Sequence, residues 1–105
     1  MTANEYQRKA RRTYNGGGYP YLGMGLAGEA GEVADYLKKV CFHGHELDKE
    51  ILKEELGDAC WYVAMLASEA GLNFEAVLEG NIRKLEERYP NGFERERSIH
   101  REGAR

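Results

Sequence analysis

Leu52, Leu56, Ala59, Val63, Leu66 and Ala70 recur at alternating spacings of four and three residues, the period of one helix face held over about five turns. A strand alternates every second residue and cannot keep that face, so the stretch reads as one long core helix. Asp48 stands where an N-cap belongs and Gly71 where a left-handed C′ residue belongs. A similar stripe runs through Leu26, Ala30, Val33, Leu37 and Val40 and ends between Cys41 and Gly44. A last helix opens at Asn73, carries Phe74, Val77, Leu78, Ile82, Leu85 and Tyr89, and is stopped by Pro90 and Gly92. A first helix, around Ala3 to Tyr14, is more weakly patterned. Pro20 and Pro90 are the two prolines, no segment alternates apolar and polar residues for long, and β-branched residues are few. The expected fold is all-α, a small antiparallel bundle of three to four helices over residues 1–93. The charged stretch from Glu94 to Arg105 is expected to be a loose tail.

The chain is small for a bundle. At 105 residues it buries somewhere between ~60 and ~70% of its unfolded surface, so a homodimer or homotetramer is expected to complete the core. Hydrophobic residues at 42% and charged residues at 31% exclude disorder, and no apolar run approaches the ~20 residues that cross a bilayer, so neither disorder nor a membrane partner is expected. A net charge of −3 lacks the basic excess that drives nucleic-acid binding, so nucleic acid is not an expected partner. The stretch Met1 to Arg12 is polar, with no secretory pattern, and Cys41 and Cys60 make no disulfide framework. A cytoplasmic protein with reduced thiols is expected.

The chemistry sits beside the stripes. Glu29 and Glu32 are three apart on the second helix, and Glu55 and Asp58 three apart on the third, so each pair projects from one face. On the third helix the pair belongs to the row Ile51, Glu55, Asp58, Tyr62, Met65, next to the core stripe. Antiparallel packing would bring the four carboxylates face to face at the edge of the core. Two carboxylates ~5 Å apart cost roughly 3 kcal/mol at an effective dielectric near ~20. Set against a domain stability of about 5–15 kcal/mol, four such groups need a positive counterpart or a solvated surface. All-oxygen ligation selects a hard divalent ion, Mg²⁺ or Mn²⁺. Gly28 and Gly31 lie in the same stretch and each cost a helix about 1 kcal/mol relative to Ala, a cost that close approach of a helix or ligand would offset.

At these residues the chain resembles the MazG-like nucleotide pyrophosphohydrolases, whose signature is E-E-x-x-E, a spacer and E-x-x-D. The matching stretches are Gly28-Glu29-Ala30-Gly31-Glu32 and Glu55-Leu56-Gly57-Asp58, with Gly28 in place of the leading Glu. The string from Asn81 through Pro90 to Gly92-Phe93 also resembles the short single-domain members, and the likeness spans Leu22 to Phe93. The resemblance implies an all-α fold and hydrolysis of a nucleoside triphosphate to monophosphate and pyrophosphate. It further implies Mg²⁺ held by Glu29, Glu32, Glu55 and Asp58, with Glu32 or Glu55 acting on the attacking water. It points to surveillance of damaged or surplus nucleotides as the purpose. Asn81, Lys84 and Arg88 share one row of the last helix and are candidates for phosphate or ribose contact, with Lys38 and Lys39 as weaker ones.

Trp61 could wall a base-binding site or belong to the core. Cys41, His43 and His45 invite a zinc reading but have no fourth ligand at a customary spacing. No Glu has His three residues later, which excludes a ferritin-like di-iron site, and Gly16 to Gly18 lack the Lys-Ser/Thr of a P-loop, reading as a flexible turn. Two other readings share the carboxylates: a non-catalytic helical module that binds metal or nucleotide, and hydrolysis of a non-nucleotide polyphosphorylated metabolite.

Overall fold

A computed structural model of the chain describes residues 1–100, and all its regular elements are helices: α1 (Ala3–Arg11), α2 (Gly18–Phe42), α3 (Lys49–Glu69), α4 (Phe74–Arg88) and α5 (Arg95–Ile99). Local chemistry accounts for most boundaries. Thr2 and Glu5 form a reciprocal capping box at the start of α1, the Glu5 N–H donating to Thr2 Oγ1 at 3.0 Å and the Thr2 N–H to Glu5 Oε1 at 2.7 Å. The Asp48 and Asn73 side chains cap α3 and α4, accepting from the Glu50 and Ala76 N–H groups. Gly71, at φ +74°, closes α3 in a Schellman turn: its own N–H reaches the Ser68 carbonyl and the Leu72 N–H reaches that of Ala67.

Helix α2 starts at Gly18, well ahead of the apolar stripe that begins at Leu26. Pro20 is its third residue, where a backbone N–H would have no partner inside the helix anyway, so the proline costs nothing there. Gly16, Gly17 and Gly18 all take positive φ, turning the chain sharply out of α1. The Tyr14 hydroxyl accepts from the Gly18 N–H at 2.9 Å and donates to Glu69 Oε1 at 3.0 Å, pinning that turn to the end of α3.

Helices α2 and α3 form an antiparallel hairpin. Gly25 meets Tyr62 at one end, and at the other the Tyr36 hydroxyl accepts from the Asp48 N–H at 2.7 Å. A Cβ on Gly25 would lie 2.0 Å from the Tyr62 ring, so this glycine is what lets the helices close. Helix α1 lies antiparallel on the C-terminal half of α3, and α4 packs against both. Buried Gln7 ties the three together: its Nε2 donates to Ser68 Oγ (3.0 Å) and the Leu72 carbonyl (2.9 Å), and its Oε1 accepts from the Phe74 N–H (2.8 Å).

The buried core is Leu22, Ala64, Met65 and Phe74, with Tyr6, Trp61 and Val63 among those packed around it. It corrects the expected face of α3. Met65, placed on the carboxylate row, is fully buried, whereas Leu56 of the expected core stripe is 50% exposed. The reason is tertiary: α2 docks along the row that carries Glu55, Tyr62 and Met65. The stripe on α4 is also largely uncovered, with Leu78 at 46% and Ile82 at 54% exposure. The charged tail departs from a loose segment in its described part. It forms α5, and the Arg97 guanidinium donates to the carbonyls of Arg88 and Glu87, closing the C-terminal end of α4. Positions 101–105 of the tail lie outside the described residues.

Candidate metal centre

The hairpin register places Glu29 and Glu32 of α2 opposite Glu55 of α3. Each glutamate offers an oxygen, and these oxygens all lie within 4.8 Å of one another. Glu29 Oε2 and Glu55 Oε2 are buried and have no hydrogen-bond partner. Buried polar atoms are almost always paired, so two orphaned carboxylate oxygens in one cluster of acids form a group that could hold a cation.

The electrostatics point the same way. Desolvation, then the charges of Glu32 and Asp58, push the Glu29 carboxyl above its ordinary value. Glu55 is pushed up first by its hydrogen bond with Glu32 and by desolvation, then by the Glu32, Glu29 and Asp58 charges. Asp58, on the same row of α3, thus acts on both groups, although it stands outside the close trio. The residues fit a hard divalent cation: the donors are carboxylate oxygens, and a positive ion would satisfy the orphaned atoms and cancel the repulsion.

Beside the glutamates lies an open cavity of about 370 Å³. Glu32 and Glu55 line it, as do Gly28 and Gly31. A Cβ at Gly28 or Gly31 would meet nothing within 4 Å, so within the chain the close helix approach falls at Gly25 and the other two glycines leave the cavity wall open. Lys39 and Asp35 line it as well. Asp35 sits between two ammonium groups, with Lys38 Nζ at 2.9 Å and Lys39 Nζ at 3.1 Å, and these hold its carboxyl below the usual range. Asp35 follows Glu32 by three residues, the same spacing that separates the two glutamates, so the sequence alone places it on their face of α2.

Other candidates lie elsewhere. Asn81 and Lys84 are exposed on α4, Arg88 is half-buried, and the cavity lining comes from α2 and α3 alone. A single chain therefore does not bring the α4 row into the carboxylate cavity. Trp61 is half-buried on the α1 side, its Nε1 donating to Thr13 Oγ1 at 2.8 Å and its ring edge-on to Tyr14 and Tyr62. Its neighbour Tyr62 faces α2, and the Glu29 and Asp58 charges help raise its hydroxyl pKa after a Tyr21 hydrogen bond and desolvation. Cys41, His43 and His45 are exposed and form no ligand grouping among the described residues.

Residues 20–93 match the MazG nucleotide pyrophosphohydrolase domain, a stretch that contains all four carboxylates and the α4 row. The chain is also 38% identical over 79 residues to the Gene 37 protein of Mycobacterium phage L5, covering 71% of this chain and 69% of that one. No solved structure matches the chain.

Proposed function

Since the chain belongs to the MazG nucleotide pyrophosphohydrolase family, we propose that it hydrolyses nucleoside or deoxynucleoside triphosphates to the monophosphate and pyrophosphate. The observation that carries this reading is the pair of orphaned oxygens, Glu29 Oε2 and Glu55 Oε2, in a cluster of acids beside an open cavity. Glu29, Glu32, Glu55 and Asp58 would hold Mg²⁺, with Mn²⁺ as the alternative hard ion. The metal, when bound, neutralises phosphate charge and lowers the pKa of the attacking water.

The chain's own residues do the rest. Glu32 and Glu55 line the cavity, so one of them orients the water aimed at the α-phosphorus and takes its proton. The opened cavity wall at Gly28 and Gly31 leaves room for a phosphate chain to approach the helix backbone. Asn81, Lys84 and Arg88 contact phosphate or ribose from the α4 of a second copy, because their own chain does not place them at the cavity. Trp61, with Tyr14 and Tyr62, belongs to an aromatic wall on the α1 side of the site. The protein works as a homodimer or homotetramer in the cytoplasm, on nucleotides rather than nucleic acid; the free, exposed thiols and the net charge of −3 support that setting. Its role is removal of surplus or damaged nucleotides.

Gly28 in place of the leading Glu favours a second reading, a module that binds nucleotide and metal without hydrolysis. The discriminating experiment incubates the protein with Mg²⁺ and a panel of triphosphates. Monophosphate with pyrophosphate, absent in Glu55→Gln, supports hydrolysis; saturable binding without product supports the module.

A further inference from the structure

We propose that Lys39, steered by Asp35, receives the β- and γ-phosphates, so that pyrophosphate departs toward the C-terminal end of α2. This deepens the hydrolytic reading and rests on it for the substrate class. The groove between α2 and α3 has a direction. At one end Tyr62 packs over Gly25 with its ring tilted against Tyr21, so that end is aromatic. The acidic trio occupies the middle. At the other end, one to two turns beyond Glu32 along α2, stand Asp35 and Lys39.

Charge fixes which end takes the phosphates. Among the described residues, Lys39 is the one cation that lines the carboxylate cavity, and its own chain's Lys84 and Arg88 do not reach it. Lys38 and Lys39 share the single Asp35 carboxylate, two ammonium groups on one acid, so these three side chains together keep a surplus positive charge. The Lys39 side chain is 44% exposed, which leaves its ammonium free to turn from Asp35 to an arriving anion. The backbone beneath it is held: the Lys39 carbonyl accepts from the N–H groups of His43 and His45 at 3.0 and 3.2 Å. Tyr36 anchors the same turn to Asp48. Lys38 pairs with Asp35 equally but does not line the cavity, so the two lysines differ in role despite adjacent positions. Lys39 alone of the two stands in the last turn of α2, where the helix dipole also favours a cation, but the dipole does not account for its place on the cavity wall.

The test is binding of inorganic pyrophosphate with Mg²⁺, measured by calorimetry, beside steady-state kinetics on the best triphosphate of a panel. In Lys39→Gln, affinity for pyrophosphate falls about tenfold, the size of one charge-assisted hydrogen bond, and KM for the triphosphate rises to match. Affinity for the monophosphate product stays as in the wild type, Lys39→Arg restores much of the pyrophosphate affinity, and Lys38→Gln changes little. Unchanged pyrophosphate affinity in Lys39→Gln, with wild-type melting behaviour, overturns the assignment, as does a loss confined to the monophosphate. If the wild type binds pyrophosphate through Lys39 but hydrolyses no triphosphate, the hydrolytic reading fails and the phosphate site stands. If it hydrolyses normally and Lys39→Gln is indistinguishable from it, the reverse holds.

Discussion

Glu55 has a buried oxygen without a donor and three acidic neighbours, and these have opposite effects on stability and on function. Its folded pKa lies above the ordinary glutamate value of 4.5, as does that of Glu29, so between 4.5 and the raised values the folded chain binds more protons than the unfolded one. Without metal, this contribution to stability is therefore full below 4.5 and is lost as pH rises through the raised values. Melting curves in chelator should show Glu55→Gln more stable than wild type at neutral pH, with the gap closing as pH falls toward 4.5. Mg²⁺ reverses the order: it raises the wild-type melting temperature, less so at acid pH because the ligands must be deprotonated, and raises that of Glu55→Gln little. Turnover in Glu55→Gln drops by about 100-fold or more, the usual scale for a lost acid-base group. The glutamate spacings were enough to put each pair on one face. Lys38 and Lys39 could be named only as weaker phosphate candidates, because a lysine's place at a cavity wall depends on which side of α2 the partner helix covers.

Element boundaries were legible wherever a local interaction sets them. The Asp48 and Asn73 caps and the Gly71 turn need only a few neighbouring residues, and each stands where the sequence places it. The start of α2 was less legible, since Pro20 in the first turn reads as an interruption unless its missing donor is recognised as unneeded. The buried face of α3 was displaced onto the next row because one close contact, Gly25 against Tyr62, decides how α2 docks, and no periodicity encodes that. Gly25→Ala should therefore destabilise the chain by about 1–3 kcal/mol, the cost of overpacking a closed contact. Gln7→Leu removes the acceptor for the Phe74 N–H and the donor for the Leu72 carbonyl, and should cost about 1–3 kcal/mol. Denaturant titrations measure both, and a loss near zero at Gly25 would contradict the hairpin packing that brings the glutamates together.

At the scale of the molecule, one chain has more surface than its size warrants. It exposes 7929 Å², where a compact monomer of 11.9 kDa exposes about 6,000 Å². Its radius of gyration is 16.6 Å against about 13 Å for a compact domain of this length. Part of the excess is apolar surface with core-like spacing, on Leu56 of α3 and on Leu78, Ile82 and Leu85 of α4. A second copy seated on these stripes would bury them and carry the α4 cations to a cavity that lacks them. Light scattering should give two or four times 11.9 kDa, and Leu78→Glu with Ile82→Glu should reduce it to one chain with activity lost. A wild-type mass of 11.9 kDa would remove the second copy from the site.

The central claim is that the glutamate cluster splits a nucleoside triphosphate between its α- and β-phosphates. The most direct measurement incubates the wild type and Glu55→Gln with Mg²⁺ and ribo- and deoxyribonucleoside triphosphates, separating pyrophosphate from phosphate among the products. The account predicts monophosphate and pyrophosphate in equal amounts from at least one nucleotide, formed about 100-fold or more slowly by Glu55→Gln. Release of phosphate in place of pyrophosphate, full activity in Glu55→Gln, or no product from folded, metal-loaded protein would contradict it.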